Sequence, residues 1–324
     1  MNEPNHDPGK VLRRVVMVLA VIAFLMAVTL AGLLVRKAIL ERADAPEASA
    51  EGSASAPVEP EASASPDAQA SPDAAASPTP GEQQASDVQR ILTDFVAAQG
   101  GTWDVYYTSL STGDTAAAQR GHDAEPRSVA ASLIKLFVMG AVYDAVDRGT
   151  LTHDAVYNDL YSMITISDNS ACNRLVTLLG GGDAAKGMQT VNSFAAALGC
   201  SGTQMNRLML QPGTENYVTA RDCAVILRAI YNGACVSADA SAEMLKLLRA
   251  QTVNDRLPAD LPQGAAVAHK TGNLANLSCG DVGIIFSPAG DYILCAISNH
   301  AASDAADTAA IATLSRTVYD AVQK

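Results

Sequence analysis

The stretch SLIKLFVMGAVYDAVDR, residues 132–148, decides the fold. Its apolar residues leave little polar face, which predicts a helix that is buried on most sides. Ser132 and Lys135 open the stretch three positions apart, so their side chains share one face within one turn. A lysine amine at that distance can take the proton of a serine hydroxyl, and burying it without such a use would be costly. The alternative is that Lys135 runs along the apolar surface and keeps its amine in solvent.

Two further strings, Ser167-Asp168-Asn169 and Lys270-Thr271-Gly272, follow the first along the chain. The former is predicted to be a loop that enters a helix, and alone it could be an ordinary helix cap. The latter is predicted to close a strand, where Gly272 lets a substrate backbone come close; alone it could be a strand-end turn. One S-x-x-K string is expected by chance in about every chain of this length. All three strings in this order are not expected by chance, so together they indicate one site.

The periodicity around these strings predicts an α+β fold. The predicted elements are a helix over residues 88–96 that starts after Ser86, a hairpin of strands at 103–109 and 115–119, helices at 132–148, around 162, and at 169–179, 188–198, 220–231 and 240–250, strands at 265–271, 281–287 and 292–298, and a helix over 311–322. Strands from both ends should form a five-stranded antiparallel sheet flanked by helices. The middle of the chain should form an inserted, reduced all-helical subdomain.

The N-terminal part divides into a short cytoplasmic tail (1–14), a transmembrane helix (15–35) and a disordered linker (36–86), followed by the folded domain (87–324). Residues 15–35 carry no charge and would be about 31 Å long as a helix, which matches a hydrocarbon core of roughly 30 Å. Residues 43–86 contain eight acids, no Lys or Arg and a single large aliphatic residue, so this part cannot fold. Basic residues flank the span on both sides, so charge alone does not fix its orientation.

Composition excludes several classes of function. The formal charge of −12 provides no electrostatic footprint for nucleic acid. The five histidines are scattered and the six cysteines lack metal-binding spacing, so we expect neither a metal nor an organic cofactor. The cysteines permit disulfides in any of 15 pairings, or they are buried free thiols.

With these three strings, residues 87–324 resemble the class A β-lactamase family, part of the serine β-lactamase and penicillin-binding protein superfamily. The resemblance implies that Ser132 is acylated, that Lys135 accepts its proton and that Ser167 passes a proton to the leaving nitrogen. Asn169 would hold the substrate amide, with Lys270 and Thr271 near the substrate carboxylate. The backbone N–H groups of Ser132 and Asn273 would form the oxyanion hole.

Two positions depart from the family pattern. The family binds the substrate carboxylate with an arginine that lies either on the strand after K-T-G, where this chain has Gly280, or before the K-T-G strand. Arg256 fits the second position, although it could equally be a surface arginine. The family also carries a glutamate that activates water against the acyl-enzyme. Residues 199–211 contain no acid, and the first one downstream, Glu215, is either a substitute base or, as we favour, a loop residue.

The sequence therefore favours a membrane-tethered serine hydrolase on the extracytoplasmic side, acting as a monomer that opens β-lactam rings through acyl-Ser132. The absent glutamate and the tether favour an alternative, a D-alanyl-D-alanine peptidase or slow penicillin-binding protein that acts on peptidoglycan stem peptides. A third reading is a non-catalytic wall-binding domain. The intact set of Ser132, Lys135, Ser167 and Lys270 counts against that reading.

Overall fold

The computed structural model describes residues 80–121, 127–300 and 303–324, which all lie in the compact unit Asp73–Lys324. The predicted tail, the predicted membrane span and the linker up to residue 79 lie outside the described residues. Among the helices that are described, none is both long and apolar enough to cross a bilayer.

The predicted helices and strands follow one another in the predicted order, together with two short strands, Ser128–Val129 and Tyr217–Val218, that were not predicted. The strands are β1 (Thr102–Ser109), β2 (Thr115–Arg120), β3 (Ser128–Val129), β4 (Tyr217–Val218), β5 (Ala266–Leu274), β6 (Ser278–Phe286) and β7 (Tyr292–Asn299). The helices are α1 (Pro80–Ala98), α2 (Lys135–Asp147), α3 (His153–Thr165), α4 (Asn169–Leu179), α5 (Ala184–Ala197), α6 (Ala220–Tyr231), α7 (Ala238–Arg249) and α8 (Asp304–Val322). A turn of 3-10 helix, Ala131–Ile134, leads directly into α2.

Five of the strands form one antiparallel sheet in the order β2-β1-β7-β6-β5. The first two strands of the chain therefore pair with the last one, and the helical middle of the chain is inserted between β2 and β5. This confirms the predicted α+β fold with its five-stranded antiparallel sheet. The short strands β3 and β4 pair separately, next to the turn that carries Ser132.

Two hydrophobic cores lie among the described residues. In the first, α1 and α8 pack on the sheet around residues such as Leu92, Trp103 and Leu314, with Phe95 meeting Trp103 edge to face at 5.0 Å between ring centroids. In the second, the inserted helices surround α2, whose residues 135–143 are all buried. The run that predicted a helix buried on most sides thus lies at the centre of the larger core.

Helix α1 begins earlier than predicted. It starts at Pro80 instead of after Ser86, so residues 80–86 belong to the folded domain and the predicted linker over 36–86 is too long at its C-terminal end. Proline is favoured at the first helical position. The side-chain amide of Gln84 also donates to the backbone oxygen of Val322 in α8 at 3.1 Å, a contact across 238 residues that the local sequence does not reveal.

Strand β5 continues past the string that was predicted to close it. Lys270-Thr271-Gly272 lies inside β5, because β6 begins at Ser278 and pairs with β5 as far as Leu274. The turn between these strands contains Asn276 in the left-handed region, with φ of 59°.

The six cysteines are all free and buried, which selects the second of the two alternatives that the sequence left open.

Helices α4 and α5 approach each other closely at Gly187. A Cβ atom added there would lie 1.8 Å from the backbone oxygen of Val176, so neither backbone could stay in place. We expect Gly187→Ala to lower the free energy of unfolding by about 1–3 kcal/mol, because overpacking forces a backbone shift. Urea unfolding, followed by circular dichroism, measures this change in the free energy of unfolding. The control is Gln189→Ala on the exposed face of α5, which should change stability by less than about 0.5 kcal/mol; equal effects of both changes would contradict the close packing.

Candidate active site

Ser132 lies in the 3-10 turn before α2, and Lys135 is the first residue of that helix. The turn starts with Ala131 at φ of 43°, a conformation that is unfavourable for a residue with a Cβ atom. The Ser132 Oγ and Lys135 Nζ atoms are 3.0 Å apart, and both residues are buried. The geometry therefore allows the amine to exchange a proton directly with the hydroxyl.

Lys135 contacts three more oxygen atoms, two of them closely. Its Nζ donates to the backbone oxygen of Ser167 and to Oδ1 of Asn169, both at 2.7 Å. Burial lowers the pKa of Lys135 to about 8. A neutral amine has two hydrogens and one lone pair. The two close oxygens can take both hydrogens, which leaves the lone pair for the Ser132 hydroxyl proton.

Ser167 lies between two lysines. Its Oγ is 3.0 Å from Lys270 Nζ and 3.2 Å from Lys135 Nζ. Ser167 adopts a left-handed φ of 60°, and the next residue, Asp168, caps α4 by accepting from the Ala171 N–H at 2.6 Å. The hydroxyl can therefore give a proton to a leaving group and regain one from either amine.

Lys270 projects from β5 and is fully buried. It also donates to the backbone oxygen of Thr271 at 2.9 Å. Burial holds the pKa of Lys270 well below its usual value, and the nearby Lys135 lowers it further. The predicted chain of Ser132, Lys135, Ser167 and Lys270 is thus a continuous set of contacts.

Gly272 meets the nucleophile turn rather than an open cleft. A Cβ atom at this position would lie 2.8 Å from Cγ of Leu133 and 3.2 Å from the backbone oxygen of Ala130. The absent side chain therefore lets β5 pack against the turn that carries Ser132. Gly272 was predicted to give room to the substrate, whereas the contact that the structure shows is with the protein itself.

Ser132 and Asn273, the two residues predicted to supply the oxyanion hole, line one small cavity of ≈ 40 Å³. Asn169 and Glu215 line the same cavity. Glu215 lies in the loop before β4 and on the wall of the cavity that contains Ser132. Thr271 is buried next to Lys270.

Glu215 is paired with Arg207. Its two carboxylate oxygens accept from Nη2 of Arg207 at 2.8 and 2.6 Å. Asn216 fixes the same loop, because its Oδ1 accepts from the N–H groups of Asn206 and Arg207. Met209 also lines the cavity, and its thioether is not a base. Both oxygens of the one acid that lines this cavity among the described residues therefore already accept from Arg207.

Arg256 is buried near the end of β5. Its Nη2 is 3.5 Å from Oδ1 of Asn273, its Nε is 3.4 Å from Sγ of Cys279, and its Nη1 pairs with Asp255 at 3.0 Å. The structure therefore brings Arg256 to Asn273, one of the cavity residues, and not to an open surface. Gly280, the other position considered for an anchor, lies in β6 opposite Gly272.

A buried pair that the sequence analysis missed holds the segment around Arg256. His269 Nδ1 is 2.9 Å from both carboxylate oxygens of Asp281, and His269 Nε2 is 3.0 Å from Oδ1 of Asn254. The same carboxylate accepts the N–H of Leu257 at 3.1 Å. The pair therefore holds Asn254 and Leu257, which lie on either side of Arg256 in the chain. Strand alternation could have revealed it, because His269 precedes Lys270 and must point to the opposite face.

A larger cavity, of ≈ 750 Å³, lies elsewhere and is lined by none of the predicted site residues. Its wall includes Asp104, Tyr106 and Arg221. We place the site at Ser132 because the hydrogen-bonded lysines and serines converge there. Within the described ranges, no cluster of histidine, cysteine or acidic side chains is arranged to hold a metal ion.

Comparison with known proteins gives matches to beta-lactamases from a family model, from curated sequences and from solved structures. The profile of the beta-lactamase enzyme family matches residues 85–158 and 156–322. Beta-lactamase FAR-1 of Nocardia farcinica (strain IFM 10152) is 30% identical over 175 residues, which cover 50% of this chain and 53% of FAR-1. The chain thus spans about half the length of the curated relatives it matches.

Solved structures match over more of their length. A beta-lactamase from Sphaerobacter thermophilus DSM 20745 superposes with a TM-score of 0.63 at 27% identity, covering 74% of this chain and 97% of that one. PBP-A superposes with a TM-score of 0.63 at 26% identity, covering 74% of this chain and 96% of PBP-A. A mutant of PBP-A, captured as an acyl-enzyme complex with penicillin G, matches equally well.

The lowered pKa of Lys135 predicts a pH dependence. Only the neutral amine can accept the Ser132 proton, so the rate of Ser132 acylation should rise with pH through about 8 and level off above it. Stopped-flow measurement of acylation between pH 6 and 10 tests this. Lys135→Arg stays protonated throughout, so it should lower the rate by about 10²–10⁴-fold and remove the pH dependence. An unchanged profile in this variant would rule out Lys135 as the proton acceptor.

Proposed function

The chain belongs to the beta-lactamase enzyme family, and we propose that it is a serine hydrolase of the class A type that opens β-lactam rings through an acyl-Ser132 intermediate. One observation carries the proposal: the Lys135 amine contacts Ser132 Oγ while its other hydrogen bonds go to Ser167 and Asn169. This arrangement prepares a serine for nucleophilic attack.

The proposed reaction proceeds in two stages. Ser132 Oγ attacks the β-lactam carbonyl carbon as its proton passes to Lys135 Nζ, and the N–H groups of Ser132 and Asn273 bind the oxyanion. The ring C–N bond then breaks, and the nitrogen takes a proton from Ser167 Oγ, which regains one from a neighbouring lysine. Water finally hydrolyses the ester of acyl-Ser132.

Substrate binding is assigned to the residues around this centre. Asn169 would receive the amide of the acyl side chain. Lys270, Thr271 and the buried Arg256 would receive the substrate carboxylate, for which an arginine near Asn273 offers a charged partner. Asp255 already shares this guanidinium, so we place Arg256 as one of three contacts.

A second candidate function follows from the cavity next to Ser132. Its acid is paired with Arg207, and Met209 offers no base, so the acyl-enzyme would be cleared slowly. This favours a D-alanyl-D-alanine peptidase or penicillin-binding protein that acts on peptidoglycan stem peptides. The similarity to PBP-A, at 26% identity, is consistent with it.

The proposal includes the location of the enzyme. The uncharged run at residues 15–35 and the acidic linker after it support a membrane anchor that presents a monomeric domain on the extracytoplasmic side. Peptidoglycan and β-lactams are met on that side. Protease protection of the full chain in membrane vesicles tests the orientation.

The first test is intact-mass analysis of the full chain with a penicillin. We expect an adduct on the unaltered protein and none on Ser132→Ala, since this change removes the attacking oxygen. An adduct that clears within seconds supports the β-lactamase function, and one that persists for many minutes supports the second candidate. A protein that gains no mass from any penicillin and consumes none would contradict both.

The second test installs a base. Met209→Glu places a carboxylate in the cavity next to Ser132, so the adduct should clear faster by about 10²-fold or more. Met209→Gln has nearly the same shape without a charge and serves as the control. Equal clearance by the two variants would show that deacylation is not limited by the missing base.

A further inference from the structure

The cavity of ≈ 750 Å³ lies apart from Ser132, and the proposed reaction does not use it. Its volume is within the range of about 300–1,000 Å³ that is typical of pockets for small ligands. Strands β1 and β2 line one side of it, and the start of α6 lines another. The side chains of these elements indicate which ligand the cavity would accept.

Asp222 contributes a buried carboxylate to the wall. The residue is only 3% exposed, and its Oδ2 accepts from the hydroxyl of Thr203 at 2.9 Å. Its other oxygen, Oδ1, accepts no hydrogen bond from any residue in the described part of the chain. A buried carboxylate oxygen without a donor costs free energy. Because Asp222 lines the cavity, a donor in the cavity can reach this oxygen.

Asp104, the other acid of the wall, already has its donors. Its Oδ1 accepts from the side-chain amide of Gln119 at 3.0 Å, and its Oδ2 accepts from the N–H of Ala220 at 2.7 Å. Two protein groups therefore satisfy this carboxylate on the spot, whereas half of the Asp222 carboxylate is left for a ligand.

Arg221 contributes an exposed cation to the same wall. It lies in the first turn of α6, where the helix dipole favours an acid such as Asp222 and disfavours a cation. Among the described residues, no acid forms an ion pair with Arg221. Neither the helix nor a salt bridge accounts for an arginine here. A ligand carboxylate does, because a guanidinium can bind it through two parallel hydrogen bonds.

An apolar surface lies within the same cavity. Ala117 and Ala118 of β2 line it beside the half-buried Tyr106 of β1. A ligand with charged groups at α6 can therefore place an apolar group against β1 and β2.

We propose that this cavity binds a free α-amino acid with an apolar side chain, whose ammonium group donates to Asp222 and whose carboxylate accepts from Arg221. The two protein charges lie on consecutive residues, and one carbon atom separates the two charges of an α-amino acid. The side chain of the ligand would lie against Tyr106 and the two alanines. This site is independent of the proposed reaction at Ser132.

The experiment uses phenylalanine as the probe, as each enantiomer, and measures its binding to the full chain by isothermal titration calorimetry. Phenethylamine lacks the carboxylate, and 3-phenylpropanoate lacks the ammonium group. We expect one enantiomer of phenylalanine at least to bind more tightly than either analogue by about tenfold or more, because each analogue loses a hydrogen bond between charged groups.

Variants locate the binding. Arg221→Gln should lower the affinity for phenylalanine by about tenfold and leave that for phenethylamine within about twofold, because phenethylamine has no carboxylate to lose. Arg228→Gln is the matched control, since it removes another exposed arginine of α6 that does not line the cavity. It should leave both affinities within about twofold. Ser132→Ala should do the same, which separates this cavity from the Ser132 site.

Asp222→Asn tests the other end of the ligand. It should lower the affinity for phenylalanine by about tenfold and leave that for 3-phenylpropanoate within about twofold. If this buried change prevents folding, the comparison of phenylalanine with 3-phenylpropanoate on the unaltered protein tests the same contact.

Three results would overturn the proposal. The first is that neither enantiomer of phenylalanine binds, and the second is that both analogues bind as tightly as phenylalanine does. The third is that Arg221→Gln lowers the affinity no more than Arg228→Gln does.

Discussion

The site depends on one buried amine. Lys135 has no exposed surface, and its nitrogen contacts Ser132, Ser167 and Asn169. An ammonium group is expensive to bury, whereas a neutral amine with satisfied hydrogen bonds is not. The same burial that makes the helix stable therefore lowers the pKa of the amine to about 8, so that a larger fraction of it is neutral and able to accept a proton.

The rest of the fold positions what surrounds this amine. Among the inserted helices, α2 carries Lys135, and Ser167 lies just before the cap of α4. The sheet contributes Lys270, which lies on β5. Gly272 joins the two, because its missing side chain allows β5 to lie against the Ser132 turn. Behind β5, the pair of His269 and Asp281 holds the segment that carries Arg256.

Residues with local signals were predictable from the sequence. The period of the apolar residues gave helix α6 at its observed bounds and strand β1 to within one residue, and the three strings were brought together as expected. What could not be predicted depends on distant contacts or on backbone conformation. Examples are the start of α1, which is tied to Val322, and the left-handed φ of Leu210, which no local pattern requires. The contact between Arg207 and Glu215 likewise depends on how the intervening loop closes.

The six free cysteines determine how the folded domain responds to oxidising and reducing surroundings. Thiols react as thiolates, and burial raises the pKa of Cys172 to about 12, so its thiolate is scarce at neutral pH. The domain contains no disulfide, so its folding needs no oxidant. Once the domain has folded, all six thiols are buried and out of reach of an oxidant. A reducing cell interior and an oxidising exterior would therefore leave the same folded domain. Each thiol becomes reactive only when its part of the core opens, so the chain carries six internal reporters of its own unfolding.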